Sequence, residues 1–396
     1  MKRSTFWLVL AAGLVLRIFA WQLLPSVLLD DGLNYHEIVL NLLEKGKYYN
    51  SEGLAYRPPL QPVLIFLIYK LFGEKLFLVS FFQILLSLAT AVLVWKISKS
   101  NLAFAFAALS FDLALFAPLL MAETLALFLL VLGFYFLKTA KVGFAGLSWG
   151  MVVLAKPILF PIFLIILFSK ENKKMALLLF LLPIFLWCFR NYSVFRKPVF
   201  VSTNGGLNFY IGNNPYSKGT YDKNSERALF LFESHSEIEK NSRYFREGLK
   251  FIKFHPQETL LNLVRKPFYL LATFGGSAEG ILVREGNWFF GVGQLVSYWL
   301  ILWGAIYYFL SDFSKIDKDI LLFIIGYIFS LLPFFTFPRF RIILLPFLAI
   351  LAGLGMKNFF REPKPGKMGL AGLILCLLTV RDWFKIIRFG LKIILK

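Results

Sequence analysis

From Leu76 to Trp95 the chain reads LFLVSFFQILLSLATAVLVW, twenty residues without a charge. A helix of that length is about 30 Å long, the thickness of a bilayer's hydrocarbon core. In lipid every backbone amide has to be paired within its own segment, so such a run forms a helix. Comparable apolar runs at 5–24, 101–118, 121–138, 143–155, 157–169, 174–190, 288–310, 319–336, 341–356 and 368–380 join 76–97 to make eleven expected spans. Hydrophobic residues are 58% of the 396 and charged ones only 17%, so these runs are the body of the protein. Barrel strands alternate apolar and polar residues and these runs do not, which excludes a β-barrel. The expected fold class is an all-α polytopic membrane protein. Pro157 and Pro161 interrupt 143–169, which reads as two half-spanning helices or one bent one.

A net charge of +20 would suit nucleic acid, but the basic residues collect at the ends of apolar runs, where they set topology and meet anionic headgroups. The lipid bilayer, and no nucleic acid, is the expected partner. Lys2, Arg3, Lys96, Lys99, Lys138, Lys141, Lys170, Lys173, Lys174, Lys357, Arg361, Lys364 and Lys367 all fall on one side when the spans alternate. Placing that side in the cytoplasm leaves 25–75 and 191–287 outside. The expected organisation is an N-terminal transmembrane module (1–190) with a first outer loop (25–75), an extracytoplasmic segment (191–287) and a C-terminal transmembrane module (288–396). The expected setting is the inner (plasma) membrane, crossed many times. The first run is long, carries Arg17 and lacks a small-residue cleavage site, so it reads as a retained helix and not a signal peptide.

Cys188 and Cys376 both lie in apolar runs and suggest no disulfide framework or metal site. His36, His235 and His255 are scattered without the spacing of a zinc hydrolase. In the outer segment, SEIEKNSRYFREGLKFIKF reads as a helix ended by His255-Pro256, and QETLLNLVRKPFYLLATF as an amphipathic interfacial helix. The last residues, RDWFKIIRFGLKIILK, read as a basic amphipathic surface segment.

The stretch LLDDGLNYHEIVLNLLEKGKYYNSEGLAYRPPLQP, beginning at Leu28, places chemistry at the membrane's rim. Asp30 and Asp31 precede a helical pattern in which Tyr35, Ile38 and Leu42 share the face of Asp31, and Gly46 ends it. One aspartate is explained as an N-cap, but two adjacent ones are not, since only one can cap. Like charges side by side near a low-dielectric wall push one pKa up, as a general base requires. Arg57 precedes two prolines that fix the backbone. Its plain role is snorkelling to the interface. Its sharper one is phosphate binding, which a guanidinium matches in shape. Glu123, opening a span, is either a helix-dipole partner or a functional carboxylate at the membrane edge. Arg339 and Arg341 open another helix, where the dipole disfavours them, so they point to an anion: a lipid headgroup or a substrate phosphate. Arg190, Arg265 and Lys266 are weaker candidates for the same anion. Asn204, Asn208, Asn213 and Asn214 suit sugar or acceptor contacts and suit turns equally well. A hard divalent cation on Asp30, Asp31 and Glu123 is possible, but no obligate metal is expected.

DDGLNYHEIVLNLLEKGKYYN followed by AYRPPLQPVLIFLIYKLFG resembles the first outer loop of the GT-C superfamily of membrane glycosyltransferases. The resemblance is to glycosyltransferase family 39 and its protein mannosyltransferase and aminoarabinose-transferase relatives. LWCFRNYSVFRKPVFVSTNGGLNFYIGNNP, FPRFRIILLPFLAILAG and MAETLALFLL are similar to further family segments in the same order, over roughly residues 10–355. The resemblance implies an inverting transferase with a polyprenyl-phosphate sugar as donor and an extracytoplasmic lipid, glycan or protein as acceptor. The family's catalytic carboxylate corresponds to Asp31 when Tyr35 fixes the register, and to Asp30 when the acidic pair does. Donor phosphate would fall to Arg57, Arg339, Arg341 and Arg190, and substrate contacts to Tyr35, His36, Tyr56, Asn213 and Asn214. The alternatives are a polyprenyl-linked lipid transporter or flippase, and a glycan polymerase or ligase. A transporter would favour internal repeats and mid-membrane charges, whereas the informative charges here sit at one rim.

Overall fold

A computed structural model describes residues 2–221, 235–273 and 288–379. The described chain is helical, with no strand among those residues. In order, the helices are α1 (Arg3–Leu23), α2 (Asp31–Lys45), α3 (Leu60–Phe72), α4 (Leu76–Ser98), α5 (Asn101–Ala108), α6 (Phe111–Phe116), α7 (Glu123–Lys138), α8 (Val142–Val153), α9 (Phe160–Phe168), α10 (Lys173–Phe195), α11 (Gly205–Gly212), α12 (Glu237–Phe254), α13 (Pro256–Leu271), α14 (Trp288–Asp312), α15 (Lys318–Leu331), α16 (Leu345–Arg361) and α17 (Pro365–Leu378). Among the described residues, four helical stretches are long and apolar enough to cross a membrane: Arg3–Leu23, Leu76–Ser98, Lys173–Phe195 and Phe289–Lys315. Leu60–Phe72, Val142–Val153, Pro157–Phe168 and Pro365–Leu378 are apolar but shorter. The protein is therefore an all-α chain built for a membrane. The basic segment 381–396 lies outside the described residues.

Two expected segments are organised differently from their sequence reading, and a third, 143–169, takes the first of its two alternatives. The run 101–118 is two helices, α5 and α6, broken at Leu109. Ser110 caps α6 by accepting from the Leu113 amide, and Arg17 of α1 takes the freed Ala108 carbonyl at 2.6 Å. Arg17 is fully buried and also bonds Gly13 and Ser87, so a polar side chain inside the bundle satisfies the break. The segment 143–169 resolves into two short helices, because Pro157 starts a 3-10 turn after α8 ends. Leu60–Phe72, read as part of an outer loop, is a helix of its own, started by Pro58-Pro59.

The core sits between α4, α7, α8, α9, α15 and α16. Trp149 stacks on Phe163 at 4.7 Å, and Phe134 and Phe323 both meet Phe347. Gly146 and Gly150 lie one helical turn apart on α8, and a Cβ at either would strike the α10 carbonyls of Ala176 or Phe180. That small-residue stripe lets the two backbones touch, the usual device where lipid offers helices no hydrophobic drive to associate.

The segment that follows α10 is fastened to the first loop. Ser236 and Glu239 form a capping box at the start of α12. The neighbouring Glu237 carboxylate accepts from the amides of Leu54 and Ala55 at 2.7 and 3.0 Å, and from the Thr203 hydroxyl. Gly53 passes so close to that carboxylate that any side chain there would collide with it. Arg190, at the end of α10, donates to the carbonyls of Leu54 and Tyr48 and stacks on Tyr48 and Trp187.

Candidate active site

Three backbone contacts bring the site together. Gly32 lies against the Leu120 carbonyl, so a larger residue would press the two segments apart. The Leu120 amide donates to Val27 at 3.1 Å, which docks the turn before α7 onto the turn before α2. The Leu60 amide donates to Leu154 at 3.1 Å, which brings the Arg57-Pro58-Pro59 corner to the end of α8. Asp31, Arg57, Glu123 and Lys156 thereby converge, and the 3-10 turn Pro338–Ile343 adds Arg339.

Asp31 is the first residue of α2 and takes both arginines. Its Oδ1 lies 2.9 Å from Arg57, and its Oδ2 2.9 Å from Arg339. Arg339 also lies 3.6 Å from Asp30 and 3.4 Å from Glu123 Oε1. Lys156 holds the same Glu123 oxygen at 2.8 Å. Arg57 is steadied from behind: Nε donates to Asn34 at 2.7 Å, and the guanidinium stacks on Tyr56. Three carboxylates and three cations alternate here. The two arginines and Asp31 keep part of their side chains exposed, while Glu123 is nearly covered.

Burial by itself would raise the Asp31 pKa. Arg57 and then Arg339 and Lys156 override that and hold the carboxyl below the usual carboxylate range. Burial likewise works against charge on Arg57 and Arg339, but Asp31 outweighs it, and both guanidiniums are held more firmly protonated than usual. Tyr35, buried beneath Asp31, has its phenol pKa raised by burial and then by that carboxylate, so it stays neutral. Asp30 has the N-cap position with φ of 48° but makes no side-chain cap, so capping does not explain the acidic pair.

Other sequence candidates lie elsewhere. Arg341 is fully buried and turned away, paired with Asp112 Oδ1 at 2.5 Å and donating to the carbonyls of Ala272 and Pro338. Arg190 is a strap on the first loop, as described above. His36 bridges to α3 through the Tyr69 hydroxyl at 3.1 Å and to Glu74 at 3.4 Å. Asn213 and Asn214 are buried and return to carbonyls of their own helix, Asn213 adding Pro333. Lys266 is buried against the Leu332 carbonyl, and Arg265 lies on the exposed face of α13. Asn204 accepts from Ser202 in a turn. The carboxylates offered as cation ligands, Asp30, Asp31 and Glu123, gather around the guanidinium of Arg339 instead. Among the described residues no group of His, Cys, Asp and Glu side chains converges as a metal site.

Lys156 and Asn34 complete the cluster and were not among the sequence candidates. The signal for Lys156 is a lone lysine in VVLAKPILF, and a charge inside an apolar run is a functional candidate by default. Asn34 had no such signal, since an asparagine one turn into a surface helix is unremarkable by type.

Compared with family models, curated proteins and solved structures, the chain matches none of the three. The functional reading therefore rests on the site itself.

Proposed function

We propose that this protein is an inverting glycosyltransferase of GT-C type, moving a sugar from a polyprenyl-phosphate donor to an acceptor on the extracytoplasmic side of the inner (plasma) membrane. The observation that carries this reading is a carboxylate, Asp31, held between two guanidiniums at the partly exposed edge of an apolar helical bundle. A lipid-linked sugar phosphate has that same composition: an apolar tail, an anion at the interface and a reacting carbon beside it. The tail lies along the exposed apolar helix faces, and Arg57 and Arg339 meet the phosphate.

In the reaction an acceptor hydroxyl attacks the anomeric carbon as its bond to the phosphate oxygen breaks, and the electron pair leaves with the phosphate. The arginines stabilise the charge growing on that phosphate. Asp31 receives the hydroxyl proton. Direct attack inverts the anomeric centre. The sidedness is supported by α7, whose fifteen steps put about 22 Å between Glu123 and Lys138. Lys138 and Lys170 pair with Asp317 and Asp319, at the far end from the cluster. A basic far end is what the positive-inside rule expects of the cytoplasmic face. The eleven-span count belongs to this proposal too.

The test is release of free polyprenyl phosphate from radiolabelled polyprenyl-phosphate sugars by protein in liposomes. Wild type is expected to release it, and Asp31→Asn to be slower by about 10²–10⁴, the usual worth of a general base. Equal release by both proteins would remove Asp31 from the chemistry. Saturable lipid binding without release from any donor would favour the flippase alternative.

A further inference from the structure

As the site stands, the base of the proposed reaction is not available. Both oxygens of Asp31 are occupied, each by a guanidinium at 2.9 Å. The arginines meant for an anion are occupied by the same contacts. Something has to exchange, and the cluster contains a half-made contact that tells where. Arg339 Nε lies 3.4 Å from Glu123 Oε1 but makes no hydrogen bond, and it is buried. Glu123 Oε2 is buried and likewise has no hydrogen-bond partner. A buried donor left unmade 3.4 Å from one oxygen of a carboxylate, whose other oxygen is buried and unbonded, is costly. A small rotation of the Arg339 side chain would join them.

We propose that Arg339 is a two-position side chain. At rest its Nη2 covers Asp31 and its Nη1 faces Asp30; when an anionic headgroup reaches Arg57, Arg339 closes its Nε onto Glu123 and turns both terminal nitrogens from the two aspartates to the anion. Glu123 is then a positioning residue, the second seat for the arginine, and Lys156 fixes that seat through its 2.8 Å contact. The idea rests on the reading of Asp31 as base and adds an order to it: donor binding uncovers the carboxylate, so the acceptor's proton has nowhere to go until the donor is in place. The groups facing Asp31 agree with such a switch. Arg57, Arg339 and Lys156 hold its pKa down, and Asp30, Glu123 and Tyr35 lie around them. Removing one arginine from that balance raises the basicity of Asp31 without moving its backbone.

The test is infrared difference spectroscopy on the full chain in lipid, with ¹³C-aspartate and farnesyl phosphate as the probe. The Asp31 carboxylate band is assigned by its loss in Asp31→Asn. Farnesyl phosphate is expected to shift that band in wild type, as the guanidinium leaves it, and to leave it in place in Glu123→Gln. The double variant Glu123→Leu/Lys156→Met removes both partners and so strands no buried charge; its band is expected to stay in place as well. A band that shifts equally in wild type and both variants would show that Glu123 is not the seat. An unmoved wild-type band, with calorimetry registering farnesyl phosphate binding, would overturn the switch and leave the transferase reading standing. No binding of farnesyl phosphate would overturn both.

Discussion

Arg339 and Arg341 are two residues apart on one 3-10 turn, and both pair with an aspartate. Arg341 is fully buried, pairs with Asp112, stacks on Tyr298 and shares Asp112 with Gln294. Arg339 keeps 13% of its side chain exposed and lies among Asp30, Asp31 and Glu123. A sealed pair has lost the water that would replace a departing partner, so its contacts persist as structure. A pair at a wet edge with several acceptors in reach can trade one for another at small cost. The same residue type is thus a fixed joint in one place and an exchangeable contact two residues away.

The sharpest way to break this contrast is to truncate each arginine. Arg341→Ala leaves Asp112 buried without its counter-charge and is expected to destabilise the fold by about 3–5 kcal/mol, enough to abolish a monodisperse peak after detergent extraction. Asp112→Leu/Arg341→Met, which removes both charges together, is expected to recover most of that stability in thermal unfolding. If it does not, the guanidinium's other contacts, the carbonyls of Ala272 and Pro338 among them, are what it is there to hold. Arg57→Ala and Arg339→Ala should extract and unfold much as wild type does. Their transfer rate should fall by about 10²–10³, the effect of removing one preorganised donor from a developing anion. A fall in stability comparable to that of Arg341→Ala would erase the distinction.

The sequence made the wet cluster legible in outline, because charges at the rim of apolar runs are few and Tyr35 set the register of Asp31. It could not separate Arg339 from Arg341. On a turn of three residues, positions two apart point about 240° apart, so one faces the rim when the other faces inward. Nothing in the pattern FPRFRII says which. Arg190 has the residue type of a phosphate ligand, but its donors are used by the Tyr48 and Leu54 carbonyls, a fact of loop geometry and not of composition. Asn213 and Asn214 suited sugar contacts and turns equally well by type, because a side chain's return to its own helix end is invisible in a list of residues. The break at Leu109 was hidden for a related reason. Its repair comes from Arg17, ninety-one positions from Ala108, whereas hydropathy registers only the apolar run.

Lys266 supplies the limiting case for the comparison: a buried cation near the same turn with no carboxylate among the described residues shown to pair with it. It donates to the Leu332 carbonyl at 2.5 Å, and Thr336 bonds its backbone oxygen. Burial alone lowers its pKa to about 8. In the unfolded chain a lysine stays protonated up to about pH 10.4. Between those values the unfolded state binds the extra proton, so stability rises with pH across the window from about 8 to 10. Below it the folded protein carries a charged, buried ammonium and the full penalty. The expected gain across the window is on the order of 2 kcal/mol, smaller than either arginine effect, and it should vanish in Lys266→Met. Thermal unfolding of wild type and Lys266→Met at pH 7.5 and 9.5 measures it. Parallel shifts in the two proteins would mean that the ammonium is already neutralised by a group that faces it, and that it belongs with Arg341 as a paired joint.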